Sequence, residues 1–178
     1  MISNTQRRAL RLGIVAALVA GAVGPGFAAT DTDNLAVSAS VSATCTISTT
    51  PVAFGAYDPT AGADLEGAGA VTVLCTNGTA GYVTLGQGLN PDTGSTNDVP
   101  LRRMAGGAGG VGRLGYFLYS EETRTDVWGN TPTTGLNHAG DGTSTVLDVY
   151  GTIPAEQNVI AGADGTGYTD TVVATVTF

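Results

Sequence analysis

Alternation of apolar and polar residues is clearest at Asp33–Ala43, D-N-L-A-V-S-A-S-V-S-A. Leu35, Val37, Ala39, Val41 and Ala43 fall on one face, and Asn34, Ser38, Ser40 and Ser42 on the other. This period of two marks a strand with one buried face. Further along, the pattern predicts β structure over Ala43–Thr49, bent or broken at Pro51, and then aromatic anchors in Phe54-Gly55-Ala56-Tyr57-Asp58-Pro59. Thr60–Gly69 reads as a loop, and Ala70–Thr76 as a strand with Val71, Val73 and Cys75 on one face. Asn77-Gly78 is a turn signal, so Tyr82–Leu85 is expected to close a hairpin with the strand before it. Gly86–Asn97 reads as loop, Pro100–Met104 as a short edge strand and Ala105–Gly112 as a glycine-rich loop. Leu114–Tyr119 reads as a central strand carrying many aromatics. Ser120–Gly129, with the sole tryptophan Trp128, reads as a polar turn, and Thr131–Gly142 as a long polar loop. Ser144–Ile153 is a further strand, ended by Pro154; Gln157–Gly167 is loop. Asp170–Phe178 is the last strand, with Val172, Ala174, Val176 and Phe178 facing one way.

No window after residue 30 has a helical period. Gly, Ala, Thr and Val dominate, which suits short strands joined by turns. The expectation is an all-β domain of about six strands after Cys45, near the seven of an immunoglobulin-like sandwich. With the last strand on the chain's final residues, an open apolar edge is expected, and such edges are normally covered or blunted. A spare strand at one end and a vacancy at the other suggest donor-strand complementation.

The first residues change the compartment. Arg7, Arg8 and Arg11 form a positive n-region, Leu12–Val23 a short apolar run, and Gly26-Phe27-Ala28 small residues around a cleavage point. Met1–Ala28 therefore reads as a secretory signal, cleaved after Ala28 or Ala29. The apolar run is shorter than the ~20 residues of a spanning helix. Removal of the signal leaves Arg102, Arg103, Arg113 and Arg124 against fifteen acidic residues, a net of 4 − 15 = −11, with no lysine. Such a surface argues against nucleic acid and anionic lipid as partners, since it would attract neither. In an exported chain the two cysteines, Cys45 and Cys75, are expected to pair.

Chemistry is sparse. His138, the only histidine, stands in a polar loop and reads as solvated; it cannot build a zinc site without cysteine partners. No nucleophile-elbow sequence accompanies His138 and Asp141. Ala105–Gly112 lacks the Lys-Ser/Thr ending of a phosphate loop and leads into a strand. Glu121, Glu122 and Asp126 could serve as paired acids of a glycosidase but sit in a turn without an evident cleft. Asp spacing does not follow a calcium loop. No catalytic, cofactor-binding or metal residue is expected.

The order of landmarks is informative: Cys45-Thr46-Ile47, Phe54-Gly55-x-Tyr57, V-T-V-L-C ending at Cys75, G-Q-G-L from Gly86, and Leu101-Arg102-Arg103-Met104. L-G-Y-F-L-Y-S follows from Leu114, then Trp128-Gly129, V-Y-G-T-I-P-A from Val149, and Tyr168-x-Asp170-Thr171-Val172 running to Phe178. This order, over essentially all of the mature chain, resembles the spore coat protein U domain family, which includes subunits of Csu-type archaic chaperone–usher pili. The resemblance implies an incomplete immunoglobulin-like sandwich, residues 44–178, completed by donor-strand complementation. It implies a periplasmic chaperone and an outer-membrane usher as partners, and other subunits in a homopolymer on the cell surface. Residues 29–43 would be the donor strand, with Leu35, Val37, Ala39 and Val41 at donor positions. Val172, Ala174, Val176 and Phe178 would lie beside the acceptor groove, and Cys45 and Cys75 match the family's disulfide pair. A tip adhesin's second domain would not fit in this length, so a shaft or minor subunit supporting adhesion and biofilm formation is expected. The alternatives are a small outer-membrane β-barrel, suggested by the terminal Phe178, and a secreted glycosidase-like enzyme.

Overall fold

The computed structural model describes residues 26–162 and 167–178; most of the expected signal peptide lies outside them. The chain divides into two units, Met1–Ala39 and Ser40–Phe178. In the first, the described residues 26–39 carry no regular secondary structure and are exposed, Leu35 and Val37 at 89% and 87%.

The second unit is all-β. Its strands are β1 (Cys45–Ala53), β2 (Leu65–Cys75), β3 (Ala80–Leu85), β4 (Arg102–Gly106), β5 (Gly112–Tyr119), β6 (Leu136–Ala139), β7 (Ser144–Ile153) and β8 (Ala174–Thr177). They form a five-stranded sheet in the order β1-β2-β7-β5-β4 and a three-stranded sheet in the order β6-β3-β8. Every named strand pair is antiparallel. Two open sheets around a filled core are not the single closed sheet of a membrane barrel. Among the described residues no helix is long and apolar enough to cross a membrane.

Period-two burial builds the core. Val71, Val73 and Cys75 of β2, Leu114, Tyr116 and Leu118 of β5, and Val149 and Ile153 of β7 face Val83 and Leu85 of β3. The central position predicted for Leu114–Tyr119 holds, since β5 lies between β7 and β4.

Several local expectations are corrected by long-range packing. The loop read over Thr60–Gly69 is shorter, because β2 begins at Leu65 and pairs with β7 from Leu65↔Ile153 onward. β1 runs through Pro51 to Ala53, with a register shift against β2 between Thr50 and Ala53; proline is tolerated at such an irregularity on an edge strand. Asn77-Gly78 does turn the chain, with Gly78 at φ 82°. However, β3 pairs with β6 and β8 rather than with β2, so this turn is a corner between sheets and not a hairpin.

Trp128 is not part of an exposed polar turn; it is fully buried. Its backbone N–H donates to Leu118 O (2.8 Å) on β5, and its indole Nε1–H donates to Val83 O (2.9 Å) on β3. One residue, through its backbone and its side chain, thus ties the two sheets together. His138 is likewise buried, on β6, opposite Gly81. Asn137 and Ala139 take the outward positions.

Candidate functional site

Four strands end the two sheets: β1 and β4 in the larger, β6 and β8 in the smaller. The chain covers one of them. β4 is bridged at Ala105 by Thr169, each N–H donating to the other's carbonyl at 2.9 Å. β6 is four residues long, as is β8, and turns Asn137 outward. β1 and β8 approach each other on the same side of the sandwich, and among the described residues neither has a second pairing strand.

Between these two edges the inward set is only half covered. Ile47, Val52 and Phe54 on one side, and Val172, Ala174 and Val176 on the other, pack against the core yet remain part-exposed. The equivalent positions of β2, β5 and β3 are nearly inaccessible. At one end the gap widens into a cavity of about 250 Å³, lined by residues that include Val52, Phe54, Met104, Tyr116, Tyr168 and Val172.

Phe54, which lines the cavity, is seated on two glycines. Gly67 and Gly151 stand opposite each other on β2 and β7. A Cβ at Gly67 would lie 2.8 Å from the Phe54 ring, and one at Gly151 2.6 Å from it. The missing side chains let Phe54 lie on the sheet, edge-on to Tyr116 with ring centres 6.2 Å apart. That arrangement is favoured by the ring quadrupoles.

A polar network fixes the approach to β8. Tyr116 Oη donates to Asp170 Oδ2 at 2.7 Å, and Leu89 N–H donates to Asp170 Oδ1 at 2.9 Å. Burial pushes the Tyr116 phenol well above its ordinary pKa, and the bond to Asp170 adds to that. Beside them Arg102, 1% exposed, donates through Nε to Gly86 O (2.8 Å) and through Nη2 to Leu85 O (2.8 Å) and Trp128 O (2.7 Å). Burial lowers the Arg102 pKa to about 10, opposed by Tyr116 and Asp170. An arginine of β4 thereby clamps the end of β3, and the two sheets are held at the distance that leaves the groove.

Cys45 and Cys75 stand opposite each other on β1 and β2 and are joined by a disulfide, with Cα atoms 4.1 Å apart. The bond anchors the start of the edge strand β1. Ala174 and Val176 are on β8, Val172 precedes it, and Phe178 follows it at 55% exposure. Leu35, Val37 and Val41 are exposed at 89%, 87% and 85%, and Ala39 is exposed as well.

The acids weighed as glycosidase groups behave as turn residues. Glu121 accepts from Thr125 Oγ1 (2.6 Å) and from Asp126 N–H (3.1 Å), and these bonds hold its carboxyl below the usual range. A general acid needs the opposite shift. Asp141 accepts from Thr143 Oγ1 and N–H, which lowers its pKa too. Among the described residues no group of three or more His, Cys, Asp or Glu is placed to hold a metal ion.

Tyr116, Arg102 and Met104 were not anticipated as parts of one site. The available signal was parity: Arg102 and Met104 share a face of β4, and Tyr116 shares one with Leu114 and Leu118.

The fold and this groove define an immunoglobulin-like, all-β domain in which one edge of each sheet is left open on the same side. The chain belongs to the Spore Coat Protein U domain family, whose model matches residues 31–175. It is 45% identical over 174 residues to Protein U of Myxococcus xanthus, covering 93% of this chain and 94% of that protein. A similar solved structure is the CsuC–CsuE chaperone–tip adhesion subunit pre-assembly complex from archaic chaperone–usher Csu pili of Acinetobacter baumannii. The match has a TM-score of 0.53 and 22% identity, and it covers 78% of this chain and 40% of that chain.

Proposed function

We propose that this protein is a structural subunit of a secreted chaperone–usher pilus, polymerised by donor-strand exchange and supporting adhesion and biofilm formation at the cell surface. The observation that carries this reading is the half-covered apolar row between β1 and β8. The similar Csu structure, a pre-assembly complex of a chaperone with a tip adhesion subunit, supports it.

In this reading residues 29–43 of one copy enter the groove of the next. Leu35, Val37, Ala39 and Val41 replace water over Ile47, Val52, Phe54, Val172, Ala174 and Val176, and Phe178 flanks the groove. Burying each of the larger donor side chains is worth about 1.5–3 kcal/mol, and backbone hydrogen bonds to the open edges add to that. A periplasmic chaperone holds the groove before assembly, and an outer-membrane usher exchanges one strand for the other. Met1–Ala28 directs export. The function is assembly rather than catalysis.

The test is co-expression with a cognate chaperone and usher. The full chain is expected to give fibres that run as heat-sensitive, detergent-stable ladders. Deletion of Thr32–Val41 is expected to keep chaperone binding and abolish fibres. Fibres from the deleted chain would refute the connector role.

A further inference from the structure

The outward face of the five-stranded sheet is electrically unlike the rest of the chain. Of the fifteen acidic residues, only Glu66 of β2 and Asp148 of β7 stand at outward positions of its strands, against Arg103 of β4 and Arg113 of β5. Two of these four are neutralised from neighbouring loops. Arg103 Nη1 pairs with Asp92 Oδ1 at 2.8 Å, and Glu66 Oε2 with Arg124 Nη2 at 3.0 Å. Arg124 in turn lies over the Tyr150 ring of β7, 5.6 Å from its centre. These charges sum to zero on a chain whose net charge is −8. Two copies repel through that net charge, and this is a face on which they can meet without opposing like charges.

The two charges left over, Arg113 and Asp148, are placed symmetrically. Phe117 pairs with Thr152 across β5 and β7. Arg113 lies four residues from Phe117 along β5, and Asp148 four residues from Thr152 along β7, in opposite directions because the strands are antiparallel. Each stands ~13 Å from the Phe117 level, at ~3.3 Å per residue. Both are exposed. Asp148 makes no ion pair among the described residues, and Arg113 meets only backbone carbonyls, Gly110 O and Gly112 O, through Nη1. Two residues further out on each arm come Val111 and Val146, exposed at 69% and 60%. A half-turn about an axis across the strands at Phe117 brings Arg113 of one copy over Asp148 of the other, and Val111 over Val146, twice each. The sideways offset is one strand spacing, ~4.8 Å, within reach of an arginine side chain.

We propose that this face docks on the same face of a second copy, in a two-fold pair with Phe117 meeting its own counterpart at the axis. The two sheets pack face to face. The strands β2, β7 and β5 present roughly 15 Å by 40 Å, so the pair buries on the order of 1,200 Å² in total, the lower end for a specific interface. The contact is weak and salt-sensitive, because its two ion pairs lie at the rim. It leaves the edges of β1 and β8 untouched, and it would survive the failure of the strand-exchange reading.

The test is sedimentation of the purified full chain from micromolar to about 1 mM, with strand-exchanged species scored separately as bands that survive detergent without heating. A reversible dimer that detergent dissolves is expected. Arg113→Glu and Asp148→Arg are each expected to weaken it about tenfold, since each acts twice in a two-fold pair, with the fold retained by circular dichroism. The two substitutions together are expected to restore it. Under mild oxidation Phe117→Cys is expected to cross-link to itself, and Arg113→Cys to Asp148→Cys in a mixture. Asn137→Cys, exposed on the other sheet, is expected to give no such product. The proposal is overturned by a chain that stays monomeric at the highest concentration, whatever else the face then binds. It is equally overturned by native association in a folded single-reversal variant, by failure of the double reversal to restore it, or by cross-linking at Asn137 equal to that at Phe117.

Discussion

Tyr116 and Asp170 are joined by a 2.7 Å hydrogen bond across the mouth of the groove, from the middle of β5 to the segment that leads into β8. The bond spans 54 residues of sequence and helps set where the open edge of the smaller sheet begins. Tyr116→Phe keeps the ring against Phe54 but removes the donor from a part-buried carboxylate. The expected cost is about 1–3 kcal/mol in urea unfolding, with the other bond, Leu89 N–H to Asp170, retained. An unchanged unfolding midpoint would show that the bond does not hold this lead-in.

Trp128 offers a spectroscopic check of how the sheets are joined. Since it is the sole tryptophan and is fully buried, native emission is expected to be blue-shifted and resistant to acrylamide, shifting red only on unfolding. Trp128→Ala is expected to lose about 3–5 kcal/mol, because both sheets lose the same packing partner.

The disulfide closes a sequence separation of 30 residues. The chain-entropy model gives it about 3–4 kcal/mol. Cys45→Ser with Cys75→Ser is expected to lower unfolding stability by that amount, measured against the oxidised native chain. Addition of reductant to the double variant should have no further effect.

Acid should weaken the domain only at low pH. Asp58, Glu121 and Asp141 have folded pKa values lowered by hydrogen bonds from Thr60, Thr125 and Thr143 respectively. A carboxyl with a depressed folded pKa stabilises above its unfolded value and loses that contribution as pH falls through the folded one. The unfolding midpoint is therefore expected to be flat with respect to these groups from pH 7 to about 5 and to fall below their ordinary values of 4.5 and 3.8. The effect is shallow, since all three carboxyls are exposed to solvent. Glu121→Gln should flatten part of that acid limb; an unchanged limb in the triple amide variant would contradict the assignment.

Local pattern carried much of this fold and little of its closure. The strands around Val71, Leu114 and Val149 were legible because one buried face forces a period of two. The destination of β3 was not, since Asn77-Gly78 specifies a turn but not which sheet receives the next strand. Trp128 and His138 sit among polar neighbours, so their burial rests on partners far along the chain: Val83 and Leu118 for the first, the pairing with β3 for the second. Arg102 was hidden by its chemistry, because a buried guanidinium is rare and its partners are backbone carbonyls that leave no side-chain signature. Of the groove, the Val172–Val176 alternation could be read directly. The Phe54 seat could not, because it depends on Gly67 and Gly151 meeting across two strands.

The central claim is that the β1 and β8 edges receive the strand Asp33–Ala43 of another copy. The most direct measurement is residue-resolved amide hydrogen exchange on the chain lacking Thr32–Val41, with and without a peptide of that strand. The account predicts new protection along β1 and β8, centred on Ile47, Val52, Ala174 and Val176, and none at the β6 edge. Unchanged exchange at β1 and β8, or protection appearing on β6 instead, would contradict it.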